Sequence, residues 1–242
     1  MIGISIIIPV LNSKDAVITL TKKLFELYQN YDLEIIFIDD GSHDGTQEIL
    51  KKIKNEYHEI IKLVIHKENL GEHSAIYSGY KIASKKWAVT MASDFQNPPE
   101  EIKNLVMLGE IENLDAIYGQ FIKKEHSFLK NLMSKIVNGL AIIFLKKPKG
   151  LHLSNFKCVK RNIYKNIVNE KNPLPLIDLA ILRETNNIGM ISVIHQKRLI
   201  GKSTYNLKRY ISLGLRILYN IAPSPFRDLI LTLYSRYFPV LI

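Results

Sequence analysis

The 242-residue chain has a single cysteine, Cys158, so it cannot form an internal disulfide. It also lacks any group of cysteines and histidines with the spacing of a zinc site. These absences exclude disulfide-stapled secreted domains and zinc modules as classes. A reducing, cytoplasmic environment is therefore expected.

Apolar runs long enough to cross a membrane are missing as well. The run 4–10 has no basic segment before it and ends at the turn-forming pair Asn12-Ser13. We therefore expect a buried first strand there rather than a secretory signal.

The tail, residues 206–242, has a different character. Apolar residues recur at helical spacing over 206–221, and the apolar stretch 226–242 is interrupted by Arg227, Asp228 and Arg236. These charges disfavour a full membrane span. The tail instead predicts amphipathic helices at a membrane interface. The alternative is a helix docked on the body or on a second copy of the chain, which would make a homo-oligomer.

Acidic residues are scarce in one segment. Between Gln120 and Lys165 there are eleven Lys and Arg residues against one acid, Glu125, so this segment carries the whole formal net charge of +10. A one-sided basic surface predicts an anionic partner: nucleic acid, phospholipid or a phosphorylated substrate. A merely solvated lysine face is the alternative. No helix-turn-helix, zinc-finger or RNA-binding aromatic signature accompanies the segment, so nucleic acid is not the expected partner.

The first half of the chain alternates strand-like and helix-like segments. Short β-branched runs, typical of strands buried on both faces, are followed by stretches with helical periodicity. The predicted strands are 4–10, 33–38, 61–66 and 87–91, and the predicted helices are 14–29, 45–56 and 74–84. This order predicts an α/β fold with a mostly parallel, Rossmann-like sheet flanked by helices.

The second half is less regular. Its predicted elements are a helix over 127–144, a basic turn over 146–150, strands over 151–159 and 190–193, and a helix over 177–185.

Polar residues collect where the predicted strands end. They are Asn12, Asp39, Asp40, Asn69, Asp94 and Gln96. Because ligands of open α/β sheets bind outside the carboxyl ends of the strands, a ligand site is expected at this edge.

The segment 94–100 offers ligands for a hard cation. Asp94 and Gln96 lie two residues apart after a strand, so an extended chain points both to the same side. Their oxygens suit Mg²⁺ or Mn²⁺, which would bridge a substrate diphosphate. A polar turn before Pro98-Pro99 is the alternative.

A second cluster spans residues 39–46. At the end of a strand, Asp40 can accept hydrogen bonds from a base or a ribose, whereas Asp44 before Gly45 suits a helix N-cap. The later Asn69-Leu70-Gly71 predicts a turn, and its glycine would also let backbone approach a nucleotide.

Several motifs occur together in one order. They are Ile-Pro-Val-Leu-Asn at 8–12, the 39–46 cluster, Asn-Leu-Gly at 69–71, Asp-Phe-Gln-Asn-Pro-Pro-Glu at 94–100, Tyr118-Gly119, Lys-Asn-Leu-Met-Ser at 130–134, and Arg198 before Gly-Lys-Ser-Thr-Tyr at 201–205. Over roughly residues 2–210 the set resembles family 2 glycosyltransferases of the GT-A fold. The likeness is greatest to the branch of dolichyl-phosphate mannose synthases and bacterial polyprenyl-phosphate sugar transferases.

The resemblance implies a role for each matched position. The nucleotide-sugar site would comprise Pro9, Val10, Leu11, Asn12, Asp39, Asp40, Asn69, Gly71, Ala92, Ser93 and Asp94. Asp94 and Gln96 would hold the metal, and Asp94, Asp178 and Arg198 would be catalytic. Lys130, Ser134, Lys202 and Ser203 would hold an acceptor phosphate.

The implied activity is that of a metal-dependent, inverting hexosyltransferase that uses a nucleoside-diphosphate sugar. The basic segment and the tail favour polyprenyl phosphate as acceptor, with the enzyme peripheral on the inner face of the cell membrane. A hydroxyl of a surface glycan is the alternative acceptor, and it would need a base such as Asp178, whereas a phosphate would not. Residues 1–115 would form the nucleotide-sugar half and 116–205 the acceptor half of one domain.

One departure from the family pattern concerns the metal site. The family reads Asp-x-Asp-x-Gln, but Ala92 stands where its first aspartate is expected. Either Asp94 and Gln96 suffice for the metal, or the chain is a catalytically impaired nucleotide-sugar-binding homologue.

Overall fold

The computed structural model describes residues 1–121, 150–170 and 176–193, with Phe121 described by its backbone alone. In these residues the strands are β1 Gly3–Val10, β2 Asp32–Asp39, β3 Ile61–Ile65, β4 Trp87–Thr90, β5 Ala116–Phe121, β6 Lys157–Lys160 and β7 Ile188–Val193. The α-helices are α1 Lys14–Tyr28, α2 Thr46–Glu56, α3 Glu72–Ile82, α4 Ile102–Ile111, α5 Arg161–Asn169 and α6 Ile177–Glu184, and a 3₁₀ turn spans Pro99–Glu101.

The strands form one sheet in the order β3-β2-β1-β4-β6-β5-β7. The first four pair in parallel, β6 runs antiparallel to both of its neighbours, and β5 pairs in parallel with β7. The chain moves outward from β1 through β2 to β3 and then crosses back to β4 on the other side of β1. The carboxyl ends of β1 and β4 therefore flank a topological switch point, where open α/β sheets bind ligands.

Strand β1 shows why the sheet is buried on both faces. Ile4, Ile6 and Ile8 pack with the apolar side chains of α1 and α4, whereas Ile7 faces the cluster formed with α3. All four are fully buried. Each such side chain stabilises the fold by about 1.5–3 kcal/mol relative to an exposed one. At Gly79 a Cβ would lie 2.4 Å from the Ile7 side chain, so only glycine lets α3 approach the sheet this closely.

A polar network closes the amino-terminal edge of the sheet around Glu34. Its carboxylate accepts hydrogen bonds from the Ser5 hydroxyl at 2.7 Å and from the N–H and hydroxyl of Ser84 at 3.0 and 2.8 Å. It also pairs with the ammonium of Lys62. Burial by itself would raise the pKa of Glu34, but these four donors outweigh it and lower the pKa.

The prediction of a mostly parallel α/β sheet flanked by helices is confirmed. The first-half elements differ from prediction mainly at their ends; α3, for example, spans Glu72–Ile82 rather than 74–84. The predicted strand over 151–159 is wrong in extent, because only Lys157–Lys160 pairs with neighbours. Strand β5 and helices α4 and α5 were not among the predicted elements.

The predicted helix over 127–144, the turn residues 146–149 and the amphipathic tail lie outside the described residues. In the part of the chain that the structure describes, no helix combines the length and apolarity that a membrane crossing requires.

Candidate functional site

The loops after β1 and β4 meet at the switch point. The hydroxyls of Ser13 and Ser93 lie 3.2 Å apart and link the two loops directly. Of the predicted nucleotide-sugar residues in the first loop, Asn12 is exposed and Pro9 and Leu11 are half-buried. Val10 is 1% exposed and packs in the core, so its side chain does not face a ligand.

Asn12 joins the β1 loop to the β2 loop. Its φ of +50° is unusual for a residue with a side chain. Two hydrogen bonds stabilise this conformation: the Asn12 N–H donates to the Ser42 hydroxyl at 2.9 Å, and the Asn12 side-chain oxygen accepts from the His43 N–H at 2.9 Å. The two loops therefore form one rigid wall of the site.

Asp39 ends β2 and is fully buried. Its Oδ1 accepts hydrogen bonds from the Ser42 N–H and from the Gln47 amide, both at 2.9 Å. Its Oδ2 is buried and receives no hydrogen bond from the described residues. A buried carboxylate oxygen without a donor is costly, so a ligand N–H or O–H would be strongly favoured there once the groups that cover the oxygen had moved aside.

Both carboxylate oxygens of Asp40 are hydrogen-bonded to other groups of the protein. Its carboxylate accepts from the N–H groups of Leu70 and Gly71 at 3.0 and 2.8 Å, and it lies 2.8 Å from Nδ1 of His66. Sequence reasoning assigned the nucleoside contact to Asp40. The geometry favours Asp39 for that contact, because Asp40 already holds the loop that contains Asn69 and Gly71.

Asp44 has the structural role expected of it, although Gly45 occupies the N-cap position of α2. The Asp44 carboxylate accepts from the Thr46 N–H at 3.1 Å and from the Thr46 hydroxyl at 2.5 Å. Burial opposes ionisation of Asp44, but the hydrogen bonds from Thr46 and from the Lys14 N–H outweigh it and lower the pKa.

The loop after β4 presents the predicted metal ligands. Half-buried Ala92, Asp94 and Gln96 alternate with the buried residues between them. Phe95 is anchored in the core with φ +62°, and Asp94 Oδ1 accepts the Gln96 N–H at 3.1 Å. Because a non-glycine residue at positive φ is strained, this turn persists only where its surroundings fix it.

Two neighbours fix the turn. The side-chain oxygen of buried Asn97 accepts the Ala92 N–H at 2.6 Å. The Tyr28 hydroxyl, at the end of α1, donates to the Pro99 carbonyl at 2.5 Å and accepts the Lys103 N–H at 3.2 Å. The loop that carries Asp94 is thus tied at both ends.

The donor set of this loop fits a hard divalent cation. Among the described residues, no three His, Cys, Asp or Glu side chains are close enough to hold a metal by themselves. Mg²⁺ and similar ions commonly use only one or two carboxylates and complete their shell with substrate phosphates and water. Asp94 and Gln96 supply oxygen ligands of this kind, so the residues present suit a metal that binds together with a diphosphate.

A second group of charged side chains lies toward β5 and α6. Lys157, fully buried, pairs with Asp178 and stands 5.4 Å from the centre of the Tyr118 ring. The Tyr118 hydroxyl donates to Asp178 Oδ1 at 3.0 Å, and burial raises the Tyr118 pKa well above its usual range. Half-buried Glu72, at the start of α3, interacts electrostatically with Lys157, Asp178 and Asp94.

Sequence reasoning missed Glu72 and Lys157 as site residues. Glu72 directly follows the Asn69-Leu70-Gly71 turn, and an acid next to that turn was a usable signal. Lys157 was counted among the basic surface residues, but it is 0% exposed and its charge is met by Asp178. One of the eleven basic residues between Gln120 and Lys165 therefore contributes nothing to an anion-binding surface.

The structure thus brings Asn12, Asp39, Asp40, Gly71, Ser93 and Asp94 to one edge of the sheet. Five other predicted residues, Lys130, Ser134, Arg198, Lys202 and Ser203, lie outside the described residues. A cleft of about 970 Å³ opens at the opposite end of the strands, beside Tyr28, Asp32 and Lys85. It contains none of the predicted site residues and lies at the edge where parallel sheets do not bind ligands.

Other proteins are similar to this chain in sequence along most of its length. Undecaprenyl-phosphate 4-deoxy-4-formamido-L-arabinose transferases of Yersinia enterocolitica and Aeromonas hydrophila are 30% and 28% identical to this chain over 235 residues. The matches cover 93% of this chain and 69% of each relative.

Solved structures share the architecture. Mannosyl-3-phosphoglycerate synthase from Rubrobacter xylanophilus matches with a TM-score of 0.64 at 12% identity, covering 94% of this chain and 74% of that one. Glucosyl-3-phosphoglycerate synthase from Mycobacterium tuberculosis, in complex with Mn²⁺, UDP-glucose and phosphoglyceric acid, matches with a TM-score of 0.64 at 16% identity. That match covers 92% of this chain and 81% of that one. At such identities the likeness shows a common fold.

The family model for glycosyl transferase family 2 matches residues 5–168, which include most of β1, all of β2 to β4 and every described residue of the switch-point site. The chain therefore belongs to glycosyl transferase family 2 and has the GT-A fold.

Proposed function

We propose that this chain transfers a sugar, with inversion, from a nucleoside-diphosphate sugar to a polyprenyl phosphate. One observation carries the donor half of the proposal: Asp39, with its buried and undonated Oδ2, shares the switch-point edge with the Asp94–Gln96 loop. A nucleoside and a diphosphate are the two parts of a donor that such an arrangement can hold at once.

Each part of the donor has a partner. Asp39 Oδ2 would accept a hydrogen bond from the base, while Asn12 and the 69–71 loop would flank the nucleoside. Asp94 and Gln96 would hold Mg²⁺ or Mn²⁺ at the diphosphate. When bound, the cation would neutralise charge on the leaving nucleoside diphosphate. The Mycobacterium tuberculosis synthase was solved with Mn²⁺ and UDP-glucose, which supports this type of donor.

The acceptor half rests on the relatives. They are named for transfer to undecaprenyl phosphate, and they match along 93% of this chain. A phosphate acceptor is already anionic near neutral pH, so catalysis requires positioning and charge stabilisation more than a base. The basic segment and the tail would then bring the enzyme to the inner face of the cell membrane as a peripheral protein, alone or as a homo-oligomer.

Two other functions remain as alternatives, and a single residue bears on each of them. A hydroxyl acceptor would require a free base, but Asp178 is paired with Lys157 and accepts from Tyr118. A nucleotide-sugar-binding homologue without activity is suggested by Ala92 at the family's first aspartate position. Sugar transfer to a phosphate by the purified chain would eliminate both.

The test is a transfer assay with the full chain. Radiolabelled UDP- and GDP-sugars would be offered with MnCl₂ to vesicles containing undecaprenyl phosphate, and labelled lipid would be extracted. We expect transfer by the native chain and a loss of at least about a hundredfold in Asp94→Asn, because a ligand to the charge-stabilising metal is removed. Glu100→Gln is the matched control, since Glu100 is a surface acid in the same loop that pairs with Lys23 at 3.2 Å.

The readouts separate the parts of the proposal. In parallel reactions with undecaprenol or a glycan as acceptor, transfer to their hydroxyl groups without transfer to undecaprenyl phosphate would disprove the lipid-phosphate acceptor. Equal activity of native protein and Asp94→Asn would disprove the ligand role of Asp94.

A further inference from the structure

The group formed by Glu72, Asn155, Lys157 and Asp178 lies between the two halves of the proposed site. Glu72 opens α3 directly after the loop held by Asp40, on the donor side. Asp178 lies in the first turn of α6, against β5 and β6. Asn155 connects the two sides: its amide donates to Glu72, its carbonyl accepts from the Thr90 hydroxyl at the end of β4, and two residues later Lys157 pairs with Asp178.

In each of the two carboxylates, one oxygen accepts hydrogen bonds from neighbouring side chains. Glu72 Oε1 accepts a hydrogen bond from the Asn155 amide at 2.6 Å. Asp178 Oδ1 accepts from both the Tyr118 hydroxyl and the Lys157 ammonium. Within the described part of the chain, nothing donates to Glu72 Oε2 or to Asp178 Oδ2. Neither of these two oxygens is among the fully buried, partnerless side-chain atoms of the described residues, so each keeps some solvent exposure, although Asp178 as a whole is only 6% exposed.

Charge explains the buried lysine. Lys157 is a fully buried ammonium that pairs with Asp178, and its charge also lowers the pKa of Glu72 against the rise that burial causes. A buried carboxylate without a counter-charge would be driven to bind a proton. Burial does raise the pKa of Glu72, and Lys157 opposes that rise. The lysine therefore offsets part of the cost of placing two carboxylates in this poorly solvated region.

We propose that Glu72 and Asp178 recognise the transferred sugar of the donor, each accepting a sugar hydroxyl or N–H with its open oxygen, and that Lys157 is the positioning residue that holds them. This inference rests on the proposed function. It adds a specificity-determining site: the nucleotide is bound by Asp39 and the metal loop, while the sugar is selected by this carboxylate pair. Sugars whose polar groups cannot reach both oxygens would bind less tightly, because the carboxylates lose their water without gaining a partner.

The test compares nucleotides with and without a sugar. Calorimetry would measure binding of UDP, GDP and a panel of UDP- and GDP-sugars, with MnCl₂, to the native chain, Glu72→Gln, Asp178→Asn, Lys157→Met and Lys157→Arg. We expect Glu72→Gln, Asp178→Asn and Lys157→Met each to bind the best-bound sugar nucleotide about tenfold or more weakly than the native chain does. Their affinity for the free nucleotide should change by less than about twofold. Lys157→Arg keeps the charge and should restore most of the affinity.

The control is Lys160→Met. Lys160 lies on the same strand, and its ammonium is 3.9 Å from Asp115 at a partly exposed position, so its loss should leave both affinities unchanged. Thermal melts would identify any variant that fails to fold. If Lys157→Met does, Glu72→Gln and Asp178→Asn decide the question.

The outcomes separate the two proposals. A native chain that binds neither free nucleotides nor any sugar nucleotide would disprove the proposed function and, with it, this inference. A native chain that binds and transfers, together with a Glu72→Gln variant of undiminished sugar-nucleotide affinity, would overturn the inference alone. Equal losses for UDP and UDP-sugar would also overturn it, because they would indicate a general structural role.

Discussion

The carboxylate of Asp40 holds the N–H of Gly71 at 2.8 Å and thereby fastens the end of β2 to the start of α3. The same carboxylate accepts the neighbouring Leu70 N–H. Asp39 and Asp40 are adjacent in sequence and identical in chemistry, yet the fold gives them different tasks. Asp40 holds the loop that contains Asn69 and Gly71, whereas Asp39 keeps one oxygen without a hydrogen bond from the described residues, the oxygen that we propose for the nucleotide.

Asp39→Asn should weaken nucleotide binding with little loss of stability. The amide keeps an oxygen for Ser42 and Gln47 but replaces the ligand-accepting oxygen with a donor. We expect the affinity for UDP to fall at least about tenfold, consistent with loss of a hydrogen bond to a charged group. Calorimetric titration with UDP and MnCl₂ checks this. Undiminished UDP affinity in a folded variant would show that Asp39 is not a ligand.

The Asp40→Asn variant should instead lose stability, without losing a direct contact to the nucleotide. An amide has one acceptor oxygen where the carboxylate has two, so it cannot serve the N–H groups of Leu70 and Gly71 and also His66. We expect the free energy of unfolding to fall by about 1–3 kcal/mol, as measured by urea denaturation. Any loss of UDP affinity should follow from the loosened loop. A full loss of binding with unchanged stability would instead restore Asp40 as a direct ligand.

The sequence predicted the donor half of the fold well. Buried β-branched strands such as 4–10 and 33–38 and the periodic helix at 14–29 carry strong local signals, because each buries its own apolar face. Strand β5 was missed because it contains Gly119 and Gln120 and is stabilised by β6 and β7, which pair with it from distant parts of the chain.

The residues of the candidate site likewise divide into those that the sequence could predict and those that it could not. Asn12, Asp39 and Asp94 follow recognisable strands, so their position at one edge could be predicted. The burial of Lys157 could not, since its partner Asp178 lies 21 residues further along the chain on another element. Nor could the choice between Asp39 and Asp40, which depends on hydrogen bonds to a loop about 30 residues away.

The network at Glu34 predicts a stability that depends on pH. Its folded-state pKa lies below the ordinary value of 4.5, so ionised Glu34 stabilises the fold above that pH. This contribution is lost as the pH falls from about 4.5 through the folded-state pKa. Melting temperatures of the native chain should therefore drop between about pH 5 and 3 more steeply than those of Glu34→Gln. Glu100→Gln, which changes a partly exposed acid, should retain the native slope. Parallel curves for all three proteins would contradict the prediction.

Ala92→Asp should strengthen metal binding. Ala92 is half-buried beside Asp94, and its N–H is already held by Asn97, so a carboxylate can be added there without remaking the backbone. Because cation affinity rises with the number of charged ligands, we expect the Mn²⁺ concentration for half-maximal transfer to fall on the order of tenfold. Transfer rates across a MnCl₂ titration measure this. No gain would mean that Asp94 and Gln96 already form a complete site.

The antiparallel strand β6 has a consequence for how this enzyme could acquire new acceptors. The strands that shape the donor edge, β3-β2-β1-β4, form an unbroken parallel block, and β5 and β7 join it only through β6. Substitutions in β5, β7 and the segments attached to them need disturb only the pairing of β6 with its neighbours in the sheet. If the acceptor binds on the β5–β7 side, as we propose, a lineage could exchange one acceptor for another while the nucleotide site stayed the same.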